Sequence, residues 1–562
     1  MSYNPENPII AQADLSVLLE LNSSLYVEAR DQVARFAELV KSPEHIHTYQ
    51  ITPLSLWNAA ASGMEADEIC DSLAKYARYP VPENVFIEIR EQVSRYGRLK
   101  LFKDEQGRLV LMTEDKVLMN RILRLKKVQP FLGSQLDESR IFVDEQNRGL
   151  LKQALIKEKL PVEDLAGYTE GEALDVDLAV ELPNGKPFGL REYQSDSVDI
   201  FYASGGVRGG SGVLVLPCGA GKTVIGIAAM TKVKQKTLIL TTNITALRQW
   251  RTEILTKTNL TEDQVGEYSG EVKEIKPVTV SSYQLLTYRK SKEHEFVHMD
   301  LFNSENWGLI IYDEVHMLPA PVFRSVANIQ ARRRLGLTAT LVREDGAEDD
   351  VFSLIGPKKF DMPWKQLESQ GWIATAHCIE VRIPLEKKLS VEYSVADQRE
   401  QFRMASENPA KLAVIHELLQ KHKGDNVLII GQYIDQLELL SKEFNAPVIT
   451  GKTPNKEREV LYKKFKTKEI TLLIVSKVAN FAIDLPDANV AIQVSGTYGS
   501  RQEEAQRLGR VLRPKGEGLE NIAHFYSVVS HNTKEQEFAQ NRQMFLTQQG
   551  YSYDIQFREL AS

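Results

Sequence analysis

Apolar and polar positions fall into two textures along the 562-residue chain. Up to about residue 130, short alternating runs mix with runs at helical spacing. "LSVLLEL" (15–21) alternates like a strand, and "YVEARDQVARFAELV" (26–40) has the period of a helix. Residues 131–185 carry "RIFVDEQNRGLLKQALIKEKL" and end in the acidic, turn-rich "YTEGEALDVDLAVELPNGKP", which reads as a linker. From 186 the texture changes. "GVLVLP", "TLILTT", "VTVSSY", "GLIIYD" and "LGLTAT" are continuous apolar runs separated by helical ones. Such strands belong to a parallel sheet covered on both faces. The pattern restarts near 425 with "NVLIIG", "TLLIVS" and "NVAIQVS". The fold class expected is therefore α/β, two parallel-sheet lobes in tandem behind α+β N-terminal domains. A charged helical stretch at 385–424 separates the lobes.

Composition changes little in this picture. The chain is too long for one core, and 43% hydrophobic with 26% charged residues is an ordinary globular balance. No apolar run is long enough to span a bilayer, and "MSYNPENPII" lacks the basic and apolar regions of a signal peptide. A cytoplasmic protein is expected. Cys70, Cys218 and Cys378 form no close pair, so neither a disulfide framework nor a zinc site is indicated. The net charge of −7 means that any nucleic acid must be met by local basic and polar grooves.

Candidate chemistry sits at two strand ends. "VLVLPCGAGKTVIGIAAM" (213–230) is a strand, a glycine loop with Gly219 and Gly221, Lys222-Thr223, and a helix. Small residues let backbone N–H groups approach phosphate, and the helix N-terminus favours negative charge. Lys222 would reach the β and γ phosphates, and Thr223 would ligate Mg²⁺. Cys218 reads as a small packing residue, since phosphoryl transfer to water needs no nucleophilic thiol. In "WGLIIYDEVHML", Asp313 and Glu314 end a buried strand, where uncompensated charge is costly. Asp313 would hold the metal, and Glu314 would orient and activate the attacking water.

With Asp313-Glu314-Val315-His316 the chain resembles the superfamily 2 helicases. "LREYQ" resembles the adenine-reading motif through Arg191 and Gln194. "TTNITALRQW" and "VTVSSYQ" resemble strand-contact motifs of a first lobe. "VSKVANFAIDLPDANVAIQVSG" and "SRQEEAQRLGRVLRP" resemble motifs V and VI of a second. Within that superfamily, "LPCGAGKT", "DEVH", "LGLTATLVRED", "SKVANFAIDLP" and "GSRQEEAQRLGRVLR" together resemble the XPB family of DNA repair helicases, in its compact bacterial form.

The resemblance implies two RecA-like motor lobes, an ATP-driven 3′→5′ DNA helicase or duplex translocase of nucleotide excision repair, and ATP with Mg²⁺ as cofactors. It implies an N-terminal domain over 1–130, a damage-recognition-like segment and linker over 131–185, and a first lobe over 186–384. A thumb-like segment over 385–424 and a second lobe over 425–562 follow. Arg510 and Arg513 would be arginine fingers. Gln506 would touch His316, Arg507 and Asp484 would line the nucleotide cleft, and Thr338 and Thr340 would couple it to the strand-contact surface. Arg343, Glu344 and Asp345 match the family's RED motif, implicated in prying duplex open. Gln506, Arg507, Arg510 and Arg513 also share one face of a helix by spacing. DNA is the implied partner, with a nuclease or other repair proteins beside it, at the nucleoid and without a membrane. A DExH RNA helicase and an ATP-gated binding platform are the rival readings. Two features read as bland: His45 and His47 as structural or exposed histidines, and "ARRRLG" (331–336) as a solvated basic turn.

Overall fold

A computed structural model describes all residues except 1–2, 42–44, 218, 290–295, 320, 324–325, 327–328, 331, 342–347, 477–487, 497–521, 550 and 560–562. The chain forms two compact units. One is Met1–Leu216 with Gly221–Asp361; the other is Met362–Ser562 with Pro217–Ala220.

The first unit opens with two small sheets. Strands β1 (Ile9–Ala11), β2 (Ser16–Glu20), β3 (Glu38–Lys41) and β4 (Ile46–Gln50) pair antiparallel in the order β1-β2-β4-β3. The helical spacing of 26–40 is honoured only over Tyr26–Val33. Beyond it, Leu39 pairs with Tyr49 across β3 and β4 and is buried, so sheet pairing overrides local periodicity. A second sheet joins β5 (Lys100–Lys103), β6 (Leu109–Met112), β7 (Arg140–Phe142) and β8 (Glu163–Asp164) in the order β7-β6-β5-β8. It spans residue 130, where the sequence reading placed a boundary. The buried core of Leu99, Leu111, Ile122, Leu151 and Leu155 shows why: strands before 130 close over the helix Arg148–Lys157 behind it.

The seven-stranded sheet that follows is parallel throughout. It comprises β9 (Ser211–Val215), β10 (Thr237–Thr241), β11 (Val265–Tyr268), β12 (Val278–Ser282), β13 (Leu309–Asp313), β14 (Arg333–Thr338) and β15 (Lys358–Asp361). Their order is β11-β12-β10-β13-β14-β9-β15. The expected linker is no loose tether. Leu174 N–H donates to Lys234 O at 3.0 Å, Lys236 N–H to Glu172 O at 2.8 Å, and Ala179 N–H to Lys257 O at 2.8 Å. The basic turn is not solvated either. Arg333 and Arg334 are 7% and 1% exposed. Arg334 donates to the carbonyls of Leu354 and Gln330, at 2.8 and 2.6 Å. Arg333 pairs with Glu170 at 2.9 Å and lies over the Tyr168 ring. Hydrogen-bond saturation permits this burial. His47 is buried against Tyr26 at 3.2 Å; burial, then Arg30, pushes its pKa down to about 4.

The second unit holds another parallel seven-stranded sheet. It comprises β16 (Thr375–Ile383), β17 (Val427–Gly431), β18 (Val448–Ile449), β19 (Leu472–Ser476), β20 (Val490–Gln493), β21 (Ile522–Ser530) and β22 (Tyr553–Phe557). The order is β18-β19-β17-β20-β21-β16-β22. The sequence reading ended the first lobe at 384, but β16 pairs along its whole length with β21. An apolar run does not reveal which sheet it joins. Of the expected inter-lobe helices, Lys387–Val395 buries no residue, whereas Lys411–Lys421 packs Val414, Ile415 and Leu418 into this sheet's core.

Candidate active site

In a parallel sheet every strand ends on the same edge, and loops leaving that edge meet. Here β9, β13 and β14 deliver the glycine loop, Asp313-Glu314 and Thr338 to one place. The loop works because of its two glycines. Gly219 and Gly221 have φ of +84° and +79°, a region that side-chain-bearing residues rarely occupy. A Cβ on Gly221 would also lie 2.6 Å from Nε2 of Gln194. Gln194 is buried, and its Oε1 accepts from the Arg191 backbone N–H at 3.0 Å. The fold thus brings the "LREYQ" glutamine against the glycine loop. Arg191 itself is bonded to the Tyr193 hydroxyl at 3.1 Å.

Lys222 opens the helix Lys222–Val233, with Thr223 half-buried beside it. The lysine Nζ stands 3.4 Å from Glu314 Oε1. Glu314 holds a left-handed backbone, φ +49°, which costs a residue with a side chain about 1–2 kcal/mol and aims it away from the strand direction. Asp313 points elsewhere. Its Oδ2 accepts from Trp250 Nε1 at 2.9 Å, and its backbone oxygen accepts from the Tyr283 hydroxyl at 2.8 Å. Trp250 packs so tightly on the phosphate-loop helix that a Cβ on Gly226 would come within 2.5 Å of its ring.

The two adjacent carboxylates are driven apart in acidity. Burial, then the charge of Glu314, pushes the Asp313 carboxyl up to about 6. Burial pushes on Glu314 as well, but Lys222 and then His316 outweigh it and hold Glu314 below the ordinary value. Lys222 acts on both carboxylates and outweighs burial only at Glu314. Among the described residues no three His, Cys, Asp or Glu side chains converge as a metal cage.

His316 carries the arrangement onward. Its Nδ1 lies 2.7 Å from the Thr338 hydroxyl and 3.5 Å from Glu314 Oε2. The Thr338 hydroxyl donates to the Thr340 carbonyl at 2.6 Å, so its one hydrogen is committed and Nδ1 must be the donor to it. Glu314, His316, Thr338 and Thr340 form one continuous polar chain.

Of the site residues expected from sequence, the described structure brings together Gln194, Arg191, Gly221, Lys222, Glu314, Asp313, His316, Thr338 and Thr340. Arg343, Glu344, Asp345, Asp484, Gln506, Arg507, Arg510 and Arg513 lie outside the described residues, as does Cys218. Trp250 and Tyr283 went unrecognised. Both lie inside quoted motifs, and the one available signal was a large aromatic at the buried face of each.

Residues 367–560 match a family model described as ERCC3/RAD25/XPB C-terminal helicase, residues 187–343 one described as type III restriction enzyme, res subunit, and residues 9–137 one described as helicase conserved C-terminal domain. A "DNA 3′-5′ helicase XPB" of Kineococcus radiotolerans is 52% identical over 98% of this chain and 96% of its own length. One of the same description from Mycobacterium tuberculosis is 52% identical over 98% of both chains. A "general transcription and DNA repair factor IIH helicase/translocase subunit XPB" of Enterocytozoon bieneusi is 33% identical over 98% of this chain and 93% of that one.

Proposed function

The chain belongs to the XPB family of helicases, and from that premise we propose how its first sheet powers an ATP-dependent 3′→5′ DNA helicase and duplex translocase of nucleotide excision repair. One observation carries the mechanism: Lys222 is held 3.4 Å from Glu314, beside a second carboxylate whose pKa burial raises. Arriving phosphates draw Lys222 off Glu314, because a polyphosphate is the stronger anion. Glu314, released, takes a proton from the attacking water. Its strained backbone keeps that carboxylate aimed into the site. Thr223 and Asp313 would hold Mg²⁺, which supplies charge neutralisation on the phosphate oxygens. Trp250 keeps Asp313 turned toward that role. Gln194 with Arg191 reads the adenine, while Gly219 and Gly221 admit the phosphates to backbone N–H groups.

Arg510 and Arg513 act as fingers from the second lobe, so hydrolysis requires the lobes to close. Gln506 then meets His316, and Arg507 and Asp484 face the nucleotide. The chain Glu314–His316–Thr338–Thr340 transmits the state of the site to the strand-contact loops. Arg343 grips a phosphate while Glu344 and Asp345 repel the second strand. The segment 385–424 serves as a thumb. The protein acts at the nucleoid, beside a nuclease or other repair proteins. No helix among the described residues is long and apolar enough to cross a membrane.

The test is Mg²⁺-dependent ATP hydrolysis with no nucleic acid, single-stranded DNA, duplex DNA and RNA, with Lys222→Ala as the blank. Stimulation by DNA and not by RNA, lost in the variant, supports the reading. Stimulation mainly by RNA moves the chain to the RNA helicases. Nucleotide binding without hydrolysis under any condition leaves a binding platform.

A further inference from the structure

The far edge of the first sheet carries a cluster of aromatic and cationic side chains that the motor chemistry does not use. Strand β11 is the edge strand, and it ends at Tyr268 on the same side of the sheet as Asp313 and Thr338. The Tyr268 hydroxyl lies 3.1 Å from His298 Nδ1, and the two rings meet edge-on, 5.7 Å apart at 81°. Lys273 covers the Tyr268 ring with Nζ 4.5 Å from its centre, and it makes no ion pair among the described residues. On the other side of His298 stands Tyr288, with ring centres 6.3 Å apart and planes inclined by 33°. Tyr288 is 53% exposed. Next to it, Arg289 lies over Phe296.

A large ring set against a neighbouring ring yet half in solvent, in a cluster that carries a lysine over Tyr268 and an arginine over Phe296, has the chemistry of a base-stacking platform. Resting on the helicase reading above, we propose that Tyr288, backed by His298 and Tyr268, with Arg289 next to it in the chain and Lys273 over the Tyr268 ring, stacks an unpaired base of a single DNA strand. Paired bases within a duplex present no free face to it, so the platform selects single strand over duplex. The occupant follows from charge and shape together. Cations alone would take any phosphate backbone, whereas the exposed ring rewards only an unstacked base.

The platform is wired to the nucleotide site. The turn Tyr283–Leu286 is capped by Ser282 at the end of β12, and Tyr283 donates to the backbone oxygen of Asp313 at 2.8 Å. Tyr288 follows within the same short segment, its N–H bonded to Leu285 O at 3.0 Å. A base that settles on Tyr288 therefore orders the segment that braces Asp313, a route from strand binding to hydrolysis.

The experiment measures affinity for a single-stranded oligonucleotide and for a blunt duplex at one fixed salt concentration. It compares the full wild-type chain with Tyr288→Ala, Tyr288→Trp and Lys273→Gln. Tyr288→Ala is expected to weaken single-strand binding about tenfold and to leave duplex binding within about twofold. Tyr288→Trp restores single-strand binding. Lys273→Gln weakens both and lowers the salt dependence. The single-strand concentration needed for half-stimulation of ATP hydrolysis rises in Tyr288→Ala in step with the lost affinity. Wild-type single-strand affinity in Tyr288→Ala overturns the platform, and so does an equal loss on both DNAs. A wild-type chain that binds neither DNA would instead overturn the helicase reading on which the platform rests.

Discussion

Two lysine–carboxylate pairs, one in each unit, show how the same residue types serve opposite ends. Lys411 and Glu535 in the second unit are 2% and 1% exposed and meet at 2.7 and 2.9 Å. The lysine also donates to Val494 O at 2.7 Å, and the glutamate accepts from Ser530 N–H at 2.9 Å. Every strong valence is filled, and the pair pins two helices to the strand ends of the second sheet. Lys222 and Glu314 in the first unit stand 3.4 Å apart, 11% and 18% exposed, on a glutamate with strained backbone. A saturated pair is structure. A longer, partly accessible one, beside an Asp313 whose acidity is perturbed by burial, marks the candidate site.

Breaking the first pair should damage the fold most. Glu535→Ala strands a buried ammonium and is expected to cost about 3–5 kcal/mol in denaturant unfolding. Lys222→Ala should reverse the pattern. ATP hydrolysis falls by about 10²–10³-fold, while stability moves by less than about 1 kcal/mol. Equal stability losses in the two variants would erase the distinction between the pairs.

Asp313 sharpens it further. Its folded pKa is raised, so the protonated form is favoured in the native chain. That contribution to stability is present below the ordinary carboxylate value and is lost as pH rises through about 6. Holding a metal needs the anion, so hydrolysis falls as pH drops below the same value. Asp313→Asn should raise the unfolding temperature at pH 8, leave it unchanged at pH 3 and abolish hydrolysis; an unchanged melting temperature at pH 8 contradicts the assignment. Trp250→Phe removes a donor that lowers the Asp313 pKa. It should move the acid limb of the rate profile to higher pH and slow hydrolysis by about tenfold. Thr338→Val is the mildest. By taking the hydroxyl from His316, it should reduce the DNA-stimulated rate about threefold more than the unstimulated one.

The sequence made the chemistry legible wherever residues act as neighbours along the chain. Gly221-Lys222-Thr223 and Asp313-Glu314 each occupy one strand end, and the parallel sheet inferred from continuous apolar runs is what brings the ends together. The same logic could not see Trp250 reaching Asp313 or Tyr283 reaching the Asp313 carbonyl, because those contacts join helical segments to a strand far away in sequence. Nor could it see that "ARRRLG" is buried, since local charge says nothing about carbonyls supplied from Leu354 and Gln330. Helical spacing misled at 34–40, where pairing with β4 decides the outcome. Nor does an apolar run show which sheet it joins: β16 looks like any other until its partner β21 is known.

The most direct test of the motor is unwinding of a short duplex bearing either a 3′ or a 5′ single-stranded tail, with ATP and Mg²⁺, by wild-type chain and Glu314→Gln. The mechanism predicts separation of the 3′-tailed duplex, none of the 5′-tailed one, and a Glu314→Gln protein that binds ATP and DNA yet separates neither. Unwinding that persists in Glu314→Gln, or that favours the 5′ tail, would contradict it.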